Sequence, residues 1–495
     1  MTGLLVAGTS SDAGKSLVVT GVCRALRRRG VDVVPYKAQN MSNNSMVCRD
    51  GSEIGRAQYL QAQAAGVEPT SAMNPVLLKP GTDRRSFVVL RGQPAGVLEA
   101  GVYATGRRHL AEAAHAAYRE LAATHEVVVC EGAGSPAEIN LRAGDYVNMG
   151  LARAFDLPVV LVGDIDRGGV LASLFGTWAL LDDADRRLLR GYVINKFRGD
   201  QSILDPGLLE ITRRTGLANL GVLPWLPGVW LDGEDALEVG RWRHDRTPAS
   251  DPAADRAALR VAVVRLPRIS NATDVDALAH EPGVQVLVTQ DPATCVAADL
   301  VVLPGSRATV DDLAWLRASG IAAVLARRAD TGRPILGVCG GYQMLARTID
   351  DEVESGHGTT EALGLLPVHV TFGADKVLGR PTGTWEGHEV TGYEIHHGAC
   401  RVVGQADPFL DGCASGATWG TLWHGTLEND AFRRAWLTRV AAQAGSDWTP
   451  ASGHPGHAGR REAMIELLAD AVEEHLDLDT LLAWAGAATT TGGPA

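Results

Sequence analysis

Met1-TGLLVAGTSSDAGKS-Leu17 opens the chain and decides the fold of its first half. The stretch starts with a short apolar strand from Leu4 to Ala7 and passes through a loop of Gly, Thr, Ser and Asp into Gly14-Lys15-Ser16. A helix with periodic apolar residues then runs from Leu17 to about Arg29. This order of strand, Gly-Lys-Ser and helix is typical of a phosphate-binding loop and predicts an ATP site.

The residue types of this loop suit phosphate chemistry. The start of the helix presents unpaired backbone N–H groups, Lys15 can reach the outer phosphates, and the Ser16 hydroxyl can ligate Mg²⁺. A Gly/Ser turn with a fortuitous lysine is the alternative, but the flanking strand and helix favour the phosphate site. The ATP-binding residues expected here are Gly8, Thr9, Asp12, Ala13, Gly14, Lys15 and Ser16.

The number of residues between the two glycines of the loop indicates which kind of phosphate-binding loop it is. Five residues separate Gly8 from Gly14, whereas the usual pattern has four. The longer form resembles the loop of the dethiobiotin-synthetase group of P-loop enzymes, which use ATP to phosphorylate a carboxylate. The resemblance therefore implies carboxylate activation.

Composition limits the kind of protein. A chain of 495 residues is too long for one core and predicts about two or three domains. The formal charge of −12 argues against nucleic acid as a general partner. No apolar run reaches the roughly eighteen residues of a membrane helix, and Leu4 to Ala7 is too short for a signal-peptide core. The seven cysteines are scattered without a C-x-x-C pair, which excludes an obvious zinc site and fits a reducing cytoplasm.

Two further buried strands of the first half end in polar residues. Val127 to Cys130 leads to Glu131, a carboxylate beside the phosphate loop that we expect to help hold Mg²⁺; a strand-end charge that only meets solvent is the alternative. The strand from Pro158 ends in Asp164 and Asp166, both expected to bind substrate. Such repeated strand–helix units predict a parallel, doubly wound α/β sheet whose active edge carries these residues.

Two other polar positions are candidate ligand contacts. Asn195 follows the strand from Tyr192, where an Asn of related P-loop enzymes contacts the adenine edge. The segment 38–45 is a polar loop after a predicted strand over 31–37, and it either lines the substrate cleft or only caps and turns the chain. A helix is predicted over 53–65. The expected substrate-binding residues of the loop region are Lys37, Gln39, Asn40, Asn43 and Asn44.

Several stretches of the first half occur in the order seen in one family. They are Tyr36-KAQNMSNN-Ser45, Glu53-IGRA-Gln58, Met73-NPVLLK-Pro80, Cys130-EGAGSPAEIN-Leu141, Gly163-DIDRG-Gly169 and Ile194-NKFRG-Asp200. Together they resemble the adenosylcobyric acid synthase family, the glutamine-dependent amidases of cobalamin biosynthesis.

The second half restarts as α/β after a linker rich in Asp, Pro and Ala. Its Gly337-x-Cys339-x-Gly341 is a nucleophile elbow in cysteine form, because small flanking residues permit the tight turn and aim backbone N–H groups at an oxyanion. A buried structural cysteine is the alternative. This half resembles class I glutamine amidotransferase domains, with Gly305, Ser306 and Gly340 as the oxyanion hole and His424 as the base of Cys339.

The group that orients His424 stays open at this stage. Most class I domains carry a Glu two residues after the His, but this chain has Thr426 there. Another carboxylate, such as Glu428, or a backbone carbonyl oxygen would then orient the imidazole of His424. His396 matches a family motif and is equally suited to a structural role, and we expect His397 to pack or face solvent.

The predicted domain organisation has five parts. Residues 1–235 form the P-loop synthetase domain, 236–258 the linker and 259–440 the amidotransferase-like domain. Residues 441–485 form a C-terminal extension with a loop to about 459 and one helix over 460–485, and 486–495 are expected to be disordered.

The combined resemblance implies a reaction. ATP with Mg²⁺ would activate the b, d, e and g carboxylates of adenosylcobyrinic acid a,c-diamide, a corrinoid, and ammonia from glutamine would form the amides. One rival is the synthase of the a,c-diamide itself, or another ATP-dependent amidotransferase on a polycarboxylate. The other is a P-loop switch ATPase with an inactive amidotransferase domain. The sequence leaves the oligomeric state open.

Overall fold

The computed structural model describes residues 3–82, 85–99, 107–230 and 258–486. Within these residues the chain forms two α/β units, each built on a parallel sheet. The predicted linker over 236–258 lies almost wholly outside the described residues, as does all of the predicted tail except Gly486.

The first unit contains a six-stranded, fully parallel sheet in the order β12-β11-β10-β1-β9-β2. Its central strands are buried along their whole length because helices cover both faces, as their near-continuous apolar sequences require. The strands of this unit are β1 Gly3–Gly8, β2 Val33–Tyr36, β3 Gln39–Met41, β4 Ser45–Val47, β5 Glu53–Gly55, β6 Val76–Thr82, β7 Arg85–Leu90, β8 Gln93–Glu99, β9 Val127–Glu131, β10 Val159–Asp164, β11 Leu189–Phe197 and β12 Ala218–Pro224.

The register of this sheet brings the polar strand ends together. Val6 of β1 lies opposite Glu131 of β9, and Asp164 of β10 lies opposite Asn195 of β11. Parallel strands present their carboxyl ends at one edge, so these side chains flank the start of the first helix. The helices of the unit are α1 Lys15–Arg28, α2 Arg56–Ala65, α3 Arg108–Thr124, α4 Met149–Phe155, α5 Val170–Leu180, α6 Asp183–Arg186 and α7 Gln201–Thr215.

Two smaller sheets correct two predictions in this unit. Segment 38–45 is not all loop, because Gln39–Met41 pairs in parallel with β6 in the sheet β3-β6-β7-β8. The predicted helix over 53–65 begins only at Arg56, because Glu53–Gly55 forms an antiparallel pair with Ser45–Val47. In both places pairing with another strand overrides the local pattern.

The second unit has a seven-stranded sheet in the order β15-β13-β16-β18-β27-β26-β25. Its first five strands are parallel and the last two are added antiparallel. The strands are β13 Leu259–Val264, β14 Ile269–Ser270, β15 Val284–Thr289, β16 Leu300–Leu303, β17 Gly305–Ser306, β18 Ile335–Val338, β19 Thr348–Asp351, β20 Gly358–Glu361, β21 Val368–Gly379, β22 Thr382–Trp385, β23 His388–Thr391, β24 Glu394–Val402, β25 Asp407–Phe409, β26 Gly412–Ser415 and β27 Thr418–Thr421.

The helices of the second unit surround this sheet, and a separate sheet β20-β19-β21-β24 lies beside it. Elbow residues 337–341 lie between β18, at the centre of the sheet, and the short helix α12. The helices are α8 Asp276–Ala279, α9 Pro292–Ala297, α10 Thr309–Ala318, α11 Ile321–Asp330, α12 Gly340–Leu345 and α13 Asp430–Ala444.

The C-terminal extension packs against the first unit. It holds two helices, α14 His457–His475 and α15 Leu478–Ala485, where one helix over 460–485 was predicted. The break occurs because Leu476 pairs with Gly221 beside β12 and the backbone N–H of Asp477 donates to Leu220. Apolar residues of α14 share a core with α1, and a Cβ on Gly21 would stand only 2.7 Å from Val472.

Candidate active sites

The phosphate loop of the first unit depends on two glycines. Gly14 has a φ of 93° immediately before α1, a conformation that side-chain-bearing residues rarely adopt, and a Cβ there would collide with the Asn195 side chain. A Cβ on Gly8 would stand 2.7 Å from the Ser10 carbonyl oxygen and 2.9 Å from Lys15 Nζ. The loop therefore closes tightly around the lysine.

Lys15 is buried and curls back over the loop. Its Nζ donates to the carbonyl oxygens of Ser10 and Ser11, each at 2.9 Å, and to that of Gly134 at 3.2 Å. Carbonyl oxygens bind an ammonium less strongly than charged phosphate oxygens do, so Lys15 Nζ can turn from these contacts to a nucleotide phosphate chain.

Glu131 is the buried acid of this site. Ser16 Oγ and Lys37 Nζ each donate to its Oε1 at 2.8 Å, and Gln61 Nε2 donates to Oε2 at 2.5 Å. A carboxylate and a hydroxyl at the mouth of a phosphate loop are suitable oxygen groups for Mg²⁺. Ser16 and Lys37 both donate to Oε1, and the roles of Ser16 and Glu131 toward Mg²⁺ stay predictions.

Asn195 and Lys196 hold the loop in place from β11. Asn195 Nδ2 donates to the Ala13 carbonyl at 2.9 Å, and Lys196 Nζ donates to the Asp12 carbonyl at 2.8 Å and to Asp164 Oδ2 at 2.7 Å. Thr9 is fixed by a bond from its backbone N–H to Val162. Asn195 thus supports the phosphate loop in the structure, and its contact with adenine stays a prediction.

A cavity of about 1190 Å³ extends from this loop to the second unit. On one side it is lined by Lys15, Ser16 and Asn195, and on the other by residues such as Thr273 and His280. Four of the predicted substrate-binding residues line it, namely Lys37, Gln39, Asn40 and Asn44.

The other three predicted substrate residues lie outside this lining. Asn43 donates through Nδ2 to the Pro80 carbonyl at 3.3 Å and lies at the junction of the two units. Asp164 accepts from Lys196, and Asp166 lies 3.6 Å from Arg198. The structure therefore brings four of the seven predicted residues to the cavity and does not bring Asn43, Asp164 and Asp166 to its lining.

Cys339 lies at the elbow between β18 and α12 in a strained backbone conformation. Its φ is 50° and its ψ is −110°, which a non-glycine residue adopts only when the surrounding structure imposes it. A Cβ on Gly341 would collide with the Leu303 carbonyl, so glycine is required immediately after the turn. The geometry is that of a nucleophile elbow, in which the side chain projects from a tight turn ahead of a helix.

The oxyanion candidates lie beside the elbow and the imidazole. A Cβ on Gly340 would stand 2.7 Å from the backbone nitrogen of Ser306, and one on Gly305 would stand 3.2 Å from His424 Cε1. The Ser306 hydroxyl donates to Asp312 at 2.6 Å, which holds this segment. Backbone groups from two segments therefore converge near Cys339, as an oxyanion hole requires.

His424 is fully buried and is oriented by Asp274. The imidazole Nδ1 lies 2.7 Å from Asp274 Oδ2, and the other carboxylate oxygen accepts from the Gly425 backbone N–H at 2.8 Å. Burial lowers the pKa of His424, but the charge of Asp274 and the neighbouring Cys339 outweigh it and raise the pKa to about 10. The ring is thus suited to take up a proton from the thiol.

Glu428 does not orient His424. Its carboxylate accepts from Arg56, across the junction of the units, and from Arg461 at 3.0 Å. The open question of the orienting group is answered by Asp274, which the sequence reading missed. His396 lies 3.9 Å from Glu394, and His397 Nδ1 lies 3.3 Å from the Gly373 carbonyl oxygen. Neither of these contacts involves Cys339 or His424.

Two family models match this chain in the order of its two units. Residues 4–237 match the model described as the CobQ/CobB/MinD/ParA nucleotide binding domain, and residues 260–432 match the CobB/CobQ-like glutamine amidotransferase domain. The cobyric acid synthase of Cutibacterium acnes is 71% identical, over 97% of this chain and 99% of the relative. The chain belongs to the cobyric acid synthase family.

Other members of the cobyric acid synthase family are similar over the same length. The cobyric acid synthase of Mycolicibacterium gilvum is 56% identical, over 100% of this chain and 99% of the relative. That of Streptomyces avermitilis is 56% identical, over 97% of this chain and 95% of the relative. The chain is thus a glutamine-dependent, amide-forming ligase of cobalamin biosynthesis, and the predicted pair of α/β folds is confirmed.

Sequence reasoning missed Asp274, which orients His424 in this cobyric acid synthase family member. Asp274 precedes His424 by 150 residues, so no local spacing connects them. The available signal was the polar run Ser270-Asn-Ala-Thr-Asp-Val-Asp276, placed soon after the first strand of the second unit. Gln61 was missed because it lies within an ordinary helical pattern.

Two features are absent from the described ranges, a membrane-spanning helix and a cluster of metal-binding side chains. No helix there is both long enough and apolar enough to cross a bilayer. No cluster of three or more His, Cys, Asp or Glu side chains there could hold a metal ion. The Mg²⁺ site considered above does not need such a cluster, because phosphates and a hydroxyl supply oxygen ligands.

Proposed function

We propose that this protein amidates the b, d, e and g carboxylates of adenosylcobyrinic acid a,c-diamide, using ATP and glutamine, to give adenosylcobyric acid. The observation that carries the proposal is the shared cavity of about 1190 Å³. It joins the phosphate loop to the segment 272–280 of the unit that holds Cys339 and His424. A volume of this size is above the usual range for a single small ligand and suits a nucleotide together with a large polycarboxylate.

Glutamine hydrolysis would take place in the second unit. Cys339 Sγ gives its proton to His424 Nε2 while Asp274 holds the ring through Nδ1–H, and the thiolate attacks the side-chain amide carbon. The oxygen that becomes negative would lie among the backbone N–H groups of Ser306 and Gly340. His424 returns the proton to the departing nitrogen, and water then releases glutamate from the thioester.

Carboxylate activation would take place in the first unit. Lys15 and the N-terminal end of α1 would hold the phosphates of ATP, and Ser16 would hold Mg²⁺. When bound, Mg²⁺ supplies positive charge to the phosphate oxygens. Attack of the substrate carboxylate oxygen on the γ-phosphorus yields an acyl phosphate and ADP, and ammonia then displaces phosphate to form the amide.

The test is amide formation from the a,c-diamide with ATP and either glutamine or ammonium as nitrogen source. Wild type should use both, whereas Cys339→Ala should fail with glutamine and keep ammonium-dependent synthesis. Cys295→Ala, at another buried free cysteine of the same unit, is the control and should use both sources. If wild type forms no amide from either source, the substrate assignment is wrong.

A further inference from the structure

Asn271 connects the catalytic histidine to the substrate loop of the other unit. Its side chain Nδ2 lies 3.2 Å from His424 Nε2, and its Oδ1 accepts from the backbone N–H of Ser45 at 3.0 Å. Its own backbone N–H donates to the Asn43 carbonyl at 3.3 Å. One buried side chain thus touches the reacting nitrogen at one end and the Lys37–Ser45 segment at the other.

The contact with Ser45 fixes which way the amide faces. A backbone N–H can only donate, so the oxygen of Asn271 must face Ser45 and the nitrogen must face His424. The amide nitrogen can likewise only donate, and Nδ1 of the ring donates to Asp274. In this contact His424 Nε2 can only accept, so the Asn271 donor opposes the protonated ring that Asp274 and Cys339 otherwise favour.

This bond uses the lone pair that Cys339 needs. Nε2 has a single lone pair, so it cannot accept the thiol proton while it accepts from Asn271. The Asp274 carboxylate favours a protonated ring, and the donor on Asn271 opposes it. If the Asn271 side-chain amide flips, its oxygen would face His424 and accept from a protonated Nε2. It would then stabilise the ion pair between the His424 imidazolium and the Cys339 thiolate.

The segment that fixes the orientation of the Asn271 side-chain amide also lines the cavity. Asn40 and Asn44 face the cavity from the first unit, and Ala272 and Thr273 face it from the second. The backbone N–H of Ala272 donates to Asn44 Oδ1 at 3.0 Å, so the segments on the two sides are bonded to each other. An occupant of the cavity would touch both.

We infer that Asn271 is a positioning residue that opposes transfer of the Cys339 proton to His424 until the synthetase substrates shift the Asn43–Ser45 segment. Glutamine would then be hydrolysed mainly when a carboxylate is ready to receive ammonia. The inference rests on the proposed roles of Cys339 and His424 and adds to them a control of proton transfer.

The readout is the rate at which iodoacetamide alkylates Cys339, measured by peptide mass mapping without ATP or corrinoid. The rate reports the thiolate fraction, which the bond from Asn271 to His424 suppresses. Asn271→Asp keeps an acceptor for Ser45 and turns an oxygen toward Nε2. Asn271→Gly removes the amide and tolerates the left-handed backbone of this position, where φ is 49°.

Both variants should raise the alkylation rate by about two- to tenfold, the effect of one hydrogen bond on an equilibrium. They should also hydrolyse glutamine without ATP and release more than one glutamate per amide formed. In wild type, adding ATP and the a,c-diamide should raise the alkylation rate, and in the variants it should add little.

Lys376→Gln is the matched control. It weakens another contact between the units, the 2.6 Å pair of Lys376 with Glu53, without touching His424. Its alkylation rate should equal that of wild type. The inference is overturned if both Asn271 variants match wild type or react more slowly, if Lys376→Gln gives the same increase, or if the substrates leave wild-type alkylation unchanged. Absence of amide from either nitrogen source would instead overturn the proposed function.

Discussion

The two units place their chemistry at the same point of the same topology, where a central parallel strand turns into a helix. In the first unit nine residues, from Gly8 to Ser16, make the turn, and the strained position is a glycine with φ 93°. In the second unit the turn is immediate, and the strained position is Cys339, the proposed nucleophile, with φ 50°. A long turn leaves backbone N–H groups around a space for an anion, whereas a short turn leaves a single exposed side chain.

A buried carboxylate serves each centre differently. Glu131 is matched by donors from Ser16, Lys37 and Gln61, so its charge is already balanced inside the protein. Asp274 instead faces the titratable ring of His424 and the Gly425 backbone N–H. The first carboxylate therefore organises a binding site, and the second changes the proton affinity of a base.

The largest expected effect is that of a substitution at Asp274, which should separate the activities of the two centres. Asp274→Asn should lower glutamine-dependent amidation by about 10³- to 10⁴-fold, because an amide no longer enforces the productive ring tautomer. Ammonium-dependent amidation should stay near wild type, and the ratio of the two rates is the measurement. Glu428→Gln is the control, and its ratio should not change. Equal loss with both nitrogen sources would mean that the centres are not separable.

The converse prediction concerns Lys15. Lys15→Met should lower amidation from both nitrogen sources by about 10²- to 10³-fold, since a charge that stabilises the transferring phosphoryl group is lost. Cys339 alkylation in the absence of substrates should stay at the wild-type rate. Arg29→Met, at the other end of the same helix and paired with Asp479 at its surface, should behave as wild type. A selective loss with glutamine alone would contradict the assignment.

Stability at acid pH tests the buried charges between the units. Burial raises the pKa of Glu53, but Lys376 and Lys79 outweigh it and hold the pKa well below its ordinary value of 4.5. Because the folded-state pKa is the lower one, this group stabilises the fold above about pH 4.5 and loses that contribution as the pH falls further. Glu53→Gln should cost about 3 kcal/mol at pH 7.

The measurement for Glu53 is the denaturant midpoint at several pH values. The difference between wild type and Glu53→Gln should shrink below pH 4.5, and Glu120→Gln, at an exposed pair with Arg91, should show almost no difference. A difference that is constant with pH would show that shape, and not charge, is lost.

The smallest expected effect is at the surface of α1. Arg28 donates to Asp470 at 2.7 Å and to Glu473 at 3.1 Å on α14, and its side chain is 29% exposed. Arg28→Ala should lower stability by about 0.5 to 1 kcal/mol, since water and salt screen such pairs. Thermal unfolding at low and high salt measures this, and a loss that does not weaken with salt would point to packing.

Local patterns allowed the sequence to predict both strand–turn–helix centres. Both motifs are short, namely Gly14-Lys15-Ser16 and Gly337-x-Cys339-x-Gly341. Phosphate binding and the exposure of a nucleophile each depend on backbone geometry within one turn. The apolar run of β10, by contrast, predicted a strand whose acidic end, Asp164, proved to bond Lys196. Which partner an acid takes depends on the neighbouring strand, and spacing along the chain does not contain that information.

The parts that could not be predicted all depend on contacts between distant segments. Asp274 meets His424 only because β13 and β27 belong to one sheet. The helix predicted over 460–485 breaks where Leu476 pairs with Gly221. Gln39–Met41 becomes a strand because β6 offers it a partner. Tertiary pairing outweighs intrinsic propensity in each case.

The packing of α14 on α1 has a consequence for synthesis on the ribosome. Domains generally fold as units in the order in which they are translated. Here the helix that carries Lys15 and Ser16 obtains part of its apolar cover, including Ile465 and Val472, only after the whole second unit has been made. The ATP-binding half emerges first, yet it completes its core last, so the nascent chain must keep an apolar face of α1 from aggregating in the meantime.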